Sequence, residues 1–217
     1  MKLNAGIVKN SLAVMDKVFA GMTDYRVLGS LLVAAINGKL HRELHDIDLL
    51  IDKEVYKEVA RRFEEQGFKK IHKHAPGFEW DEFVKPNYLT FGVLLVGKFG
   101  KAFFDYRANR WLKLRIKKEY LKPTEYHLYG HKIRGIPVKS IYEGIKIANL
   151  NKKRRIDRTV VEKYFTSNIP ESLSINRAFR VNLFGVDIPY LYTFYSHIYN
   201  IIGGIRLRIG KTYDPWM

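Results

Sequence analysis

The chain reads Val27-Leu28-Gly29-Ser30, continues for fifteen residues, and then reads Asp46-Ile47-Asp48-Leu49-Leu50-Ile51. The second segment is an extended strand by pattern: two acids flank one apolar residue, and an apolar run follows. Residues i and i+2 of a strand point the same way, so Asp46 and Asp48 share one face while Ile47 turns into the core. Two carboxylates held that close repel unless something positive sits between them. A hard cation such as Mg²⁺ fits, because it takes oxygen ligands and completes its shell with waters and phosphate oxygens.

The first segment supplies a second half. Val27-Leu28 ends a short strand, and Gly29 allows a tight turn with close backbone approach. Ser30 then reads as the N-cap of a helix running to Ile36. Amides at a helix N-terminus favour phosphate oxygens. A phosphate cradle followed by an Asp-x-Asp metal site is more specific than either part alone.

Working outward, residues 7 to 20 read as an amphipathic helix ended by Gly21, and Asp24 to Leu28 as the first strand. Lys39 to His45 is a polar connection. Asp52 is placed to cap a helix over Lys53 to Gln66, and Phe68 to His72 is a strand. Glu79 to Val84 does not declare its form. Tyr88 to Val96 and Lys101 to Arg107 read as a hairpin. Pro123 to Ile136 reads as one or two short strands. Helices are expected over Ser140 to Ala148 and Lys152 to Phe165. Residues 172 to 217 are aromatic and basic without a motif.

This pattern resembles the nucleotidyltransferase superfamily, whose signature is an apolar residue, Gly-Gly or Gly-Ser, a helix, and Asp-x-Asp on the next strand. The fifteen-residue gap is similar to that of the aminoglycoside and lincosamide adenylyltransferase branch. The resemblance spans roughly residues 25 to 165. It implies an α+β fold: a short mixed sheet flanked by helices, followed by a helical C-terminal subdomain. The boundary falls near residue 138, giving a core over 1–138 and a subdomain over 139–217.

The resemblance also implies a chemistry. It is transfer of a nucleoside monophosphate, AMP from ATP, to a hydroxyl acceptor, with two Mg²⁺ ions and release of pyrophosphate. Asp46 and Asp48 would be metal ligands. A third carboxylate is expected on a neighbouring strand. Asp105, the only acid in the two hairpin strands, takes that role, with Glu79 and Asp81 in reserve. Gly29 and Ser30 would hold the β and γ phosphates. Lys146 and the stretch Arg154-Arg155-Ile156-Asp157 look like the branch's inward Lys and Arg-Pro-Lys-Asp passage, with Arg155 and Ile156 departing from it. Lys146 is then aimed at the triphosphate, and Arg42 is a further phosphate contact or a surface ion pair.

Composition bounds the rest. There are 38 Lys plus Arg against 22 Asp plus Glu, a net charge of +16. That favours polyanionic partners: NTP, RNA, DNA or an anionic surface. RNA or an anionic small molecule suits this charge as acceptor better than a cationic antibiotic does. Cysteine is absent, which excludes disulfides and thiolate metal sites. No apolar run reaches membrane-spanning length, and a cytoplasmic protein is expected. The aromatic tail is expected to pack on the core or on a second copy in a homodimer. Two other readings stay open: a non-catalytic basic RNA- or DNA-binding module, and a toxin–antitoxin component that keeps the fold.

Overall fold

The computed structural model describes residues 4–75, 78–99, 103–107, 112–147, 152–164 and 179–189. Helix α1 (Ala5–Val18) buries Val8, Leu12, Met15 and Val18 along one stripe and leaves Lys9, Asp16 and Lys17 exposed. Strand β1 (Tyr25–Val27) leads through Leu28 into α2 (Gly29–Asn37). Strand β2 (Asp46–Asp52) carries the acid pair, and α3 (Tyr56–Glu65) follows it. Next come β3 (Lys69–Ala75), β4 (Phe78–Val84), β5 (Thr90–Phe99), β6 (Phe103–Arg107) and β7 (Leu112–Lys117). Strands β8 (Thr124–Leu128) and β9 (His131–Gly135) form a hairpin, then α4 (Val138–Ile147) and α5 (Lys152–Tyr164). A last hairpin joins β10 (Phe179–Leu183) and β11 (Val186–Pro189).

The sheet runs β11-β10-β7-β6-β5-β2-β1-β9-β8, and β4, with β3 beside it, also pairs with β5. Among the described residues β2 lies parallel to β5 and β1 parallel to β9; the other pairings are antiparallel. The architecture is α+β with a mixed sheet flanked by helices, as the resemblance implies.

Alternation along β2 divides the sheet's two faces. Ile47, Leu49 and Ile51 are fully buried on one face. Phe91, the register partner of Ile47, lies on that face too. Phe63 of α3 packs on Phe83 and Phe91 with ring centroids 4.6 and 4.8 Å apart, and Phe19 and Phe68 close the cluster. The other face carries Asp46, Asp48, Leu50 and Asp52.

Three local readings change. Asp52 does not cap α3: it is 2 % exposed and accepts a hydrogen bond from Arg26 at 2.9 Å. Helix α3 begins later, after Val55. Ser30 is not the N-cap of α2, because the helix already includes Gly29 and the capping position is Leu28. Glu79 to Val84, the segment without a declared form, supplies β4, and β7 arises between the two segments read as strands, the hairpin ending at Arg107 and Pro123 to Ile136. The C-terminal part is helical through α4 and α5, and β10–β11 then returns to the sheet beside β7.

Candidate functional site

The antiparallel pairing of β1 with β2 ends where Leu28 N donates to Asp48 O at 2.8 Å. The chain then turns at Gly29 with φ +64°, a left-handed conformation that glycine adopts without strain. The turn sets the start of α2 directly over the Asp48 carboxylate. A Cβ placed on Gly29 would lie 2.3 Å from Asp48 Oδ2, closer than real atoms approach. On the other side Gly92 of β5 is the register partner of Asp48, and a Cβ there would lie 3.6 Å from Asp48 Oδ1. The carboxylate is thus seated between two residues that lack side chains.

Asp46 shares the face of Asp48, one register row away opposite Thr90. Burial pushes its carboxyl above the ordinary range, and the positive charges of Arg42, Lys153 and His45 pull it back part of the way. A half-buried acid pair at a helix N-terminus fits one divalent cation held by two carboxylates, with phosphate oxygens and water filling the shell. It does not supply the expected third ligand: no group of three His, Cys, Asp or Glu among the described residues could hold a metal.

Asp105 is the correction. Asp48 pairs with Gly92, whereas Asp105 pairs with Gly97. Five positions of extended strand are roughly 16 Å. Five is also odd, so the row of Gly97 presents its side chains on the face opposite to that of Asp48. Asp105 there lies 3.8 Å from Arg115 Nε, its partner in the β6–β7 register. The reserves fail on the same parity. Asp81 pairs with Val93, turns to the other face, and accepts hydrogen bonds from Tyr56 Oη and from His72 Nδ1 at 2.8 Å. Glu79 shares that face.

Ser30 and Arg42 do come to the site, with a different job. Ser30 Oγ donates to Asp157 Oδ2 at 2.9 Å. Arg42 donates to Asp157 through Nε at 2.8 Å and Nη2 at 3.1 Å, and Nη2 also donates to Ser30 Oγ. His41 Nε2 lies 2.5 Å from Asp157 Oδ1. Asp157 is 5 % exposed, and although burial alone would raise its carboxyl, these partners together hold it down at about 2. The cluster fastens α5 to the start of α2 and to the loop before β2. It also brings the exposed Lys153 near Asp46. Lys146 lies on α4, and its side chain falls outside the described residues.

The sequence reading has Asp157 only as the end of the Arg154-Arg155-Ile156-Asp157 stretch, and it gives His41 no role within the polar connection Lys39 to His45. The available signal was one acid, Asp157, between the four-cation run Lys152-Lys153-Arg154-Arg155 and Arg158, at a position level with the apolar residues Val160 and Val161 on α5.

No family model matches the chain, and no curated protein matches it in sequence. Solved structures do match. A lincosamide antibiotic adenylyltransferase bound to lincomycin superposes with TM-score 0.55 at 16% identity, over 73% of this chain and 94% of that one. ANT(2″)-Ia in complex with adenylyl-2″-tobramycin gives TM-score 0.53 at 14% identity, over 72% and 90%. An antigenic nucleotidyltransferase-like protein from Paracoccidioides brasiliensis gives 0.50 at 12% identity, over 93% and 90%. The chain has a nucleotidyltransferase-like fold.

Proposed function

We propose that this chain is a Mg²⁺-dependent nucleotidyltransferase that moves a nucleoside monophosphate, AMP from ATP, to a hydroxyl acceptor and releases pyrophosphate. One observation carries the reading: the Asp48 carboxylate sits against the Gly29 bend at the N-terminus of α2, with Asp46 beside it on the same face. The likeness in fold to adenylyltransferases supports it.

Asp46 and Asp48 would hold the magnesium that accompanies the triphosphate. When bound, that ion neutralises phosphate charge and aligns the reacting oxygens. The first amides of α2 face the phosphates, and Gly29 lets them approach because no side chain stands in the way. Lys153 brings positive charge beside Asp46 from α5, and Lys146 on α4 is a second triphosphate contact in this reading. Ser30 and Arg42 hold Asp157 and so fix the start of α2; their contribution to phosphate binding is positional. The charge of +16 suits RNA or an anionic small molecule as the acceptor.

A second reading, nucleic-acid binding without turnover, is favoured by the placement of Asp105 on the far face. Incubation with α-labelled NTPs, Mg²⁺ and candidate acceptors, scored by pyrophosphate release, separates the two. Turnover in the wild-type protein should fall about 100-fold or more in Asp48→Asn, since the lost ligand stabilised several kcal/mol of developing charge. Release that survives both Asp46→Asn and Asp48→Asn rules the transferase reading out.

A further inference from the structure

The geometry points to Glu82 of β4 as the base for the acceptor hydroxyl, reached across the gap that Gly92 leaves in the sheet. This inference rests on the transferase reading above. Strand β4 pairs with β5 so that Glu82 stands opposite Gly92, and β5 pairs with β2 so that Gly92 stands opposite Asp48. Laterally paired residues of a sheet project from the same face. Asp48, Gly92 and Glu82 therefore form one row on one face, its ends roughly 10 Å apart at the α carbons, two strand spacings. Among the acids of β4, Glu79 and Asp81 have the wrong parity; Glu82 has the right one.

The middle of the row is open. Among the described residues, Asp48 Oδ1 is the one heavy atom within 4 Å of the place a Gly92 Cβ would occupy. A side chain there would separate the two acids; glycine instead leaves a seat between them. Glu82 is also held. Trp80 Nε1 donates to its Oε1 at 3.0 Å, and Lys73 Nζ lies 3.7 Å from its Oε2. Its side chain is 20 % exposed, reachable by a bound molecule while its position is restrained. No third His, Cys, Asp or Glu among the described residues joins Asp46 and Asp48 as a metal ligand, Glu82 included. Glu82 faces them across the acceptor seat.

The acceptor O–H gives its proton to the Glu82 carboxylate. The acceptor oxygen forms a bond to the α phosphorus. The bond from that phosphorus to the bridging oxygen breaks, and its electron pair leaves with pyrophosphate.

The test compares the wild-type protein, Glu82→Gln and Asp48→Asn. Glutamine keeps an oxygen to accept from Trp80, so the variant retains its local support. Binding of Mn²⁺ with a non-transferable ATP analogue is followed by electron paramagnetic resonance. Transfer is followed to two probes: glycerol, whose hydroxyl must lose a proton, and labelled inorganic phosphate, whose oxygen is already ionised and whose product is labelled ADP. Glu82→Gln should bind the Mn²⁺ nucleotide within about twofold of wild type, lose about 100-fold of glycerol transfer, and keep phosphate transfer. Asp48→Asn should lose binding and both transfers. Unchanged glycerol transfer in Glu82→Gln, or an equal loss on both probes, overturns the role for Glu82 and leaves the transferase reading intact. A wild-type protein that binds the Mn²⁺ nucleotide yet serves neither probe also overturns it. A wild-type protein that does not bind the nucleotide removes the underlying reading as well.

Discussion

At the scale of single residues, the site divides into what is local and what is not. Asp46, Asp48 and Gly29 are legible in the sequence because their relation follows from strand period and one turn. Asp105 is misread because its face depends on register, and one position in β5 reverses it. Glu82 is missed for the same reason, in a segment whose periodicity does not declare a strand. Asp157 meets Ser30 across 127 residues, a separation that no local pattern encodes. Its carboxyl is held at about 2, below the usual 3.8. A depressed folded value means the stabilisation is complete above pH 4 and is lost as pH falls through 2. The shift corresponds to about 2 kcal/mol. Asp157→Asn should therefore lose about that much at neutral pH in urea unfolding, and the difference from wild type should shrink on acidification toward pH 2.

Elements repeat this contrast. The helices α1, α3, α4 and α5 announce themselves by apolar stripes, and β2, β5 and the β8–β9 hairpin by apolar runs and turns. Strands β7 and β10–β11 are hidden because they lie in basic, mixed sequence and gain their form from pairing with each other. Strand β1 is only three residues long, and its hold on β2 includes a buried ion pair. Arg26 and Asp52 meet at 2.9 Å with side chains 6 % and 2 % exposed, and Arg26 Nε also donates to Leu121 O at 2.7 Å. Burial raises the Asp52 carboxyl even beside its partner, so desolvation is the larger effect there. Removing one member strands a charge in the core. Arg26→Met or Asp52→Leu alone should cost about 3 kcal/mol or more, and the double variant should recover most of that loss. Urea midpoints of the four proteins measure the coupling; additive losses would show the pair to be independent.

For the whole molecule, the sequence establishes the charge and the fold class, and the structure adds where positive side chains stand. Lys153, near Asp46, and Arg155 are exposed on α5, and Lys69 and Lys70 are exposed on β3. No described helix is long and apolar enough to cross a membrane. With a charge of +16 the protein should bind single-stranded RNA by counterion release. If about six phosphates are neutralised, affinity for a single strand should fall by about 300-fold between 50 and 200 mM salt, measurable by fluorescence anisotropy. Asp48→Asn should bind RNA as the wild type does. A flat salt response would show that the charge is not used on nucleic acid.

The brief strand β1 also has a consequence in time. One of its edges is completed by β2, which follows after α2 and the polar connection, but the other waits for β9, with Val27 alongside Gly135. The start of α2 waits longer still, for Asp157. A nascent chain leaving the ribosome therefore carries its acids early and its scaffold late. Long-range closure of this kind is slow to form. Until it is reached, the emerging half exposes an open strand border, the condition in which a growing polypeptide most needs a chaperone.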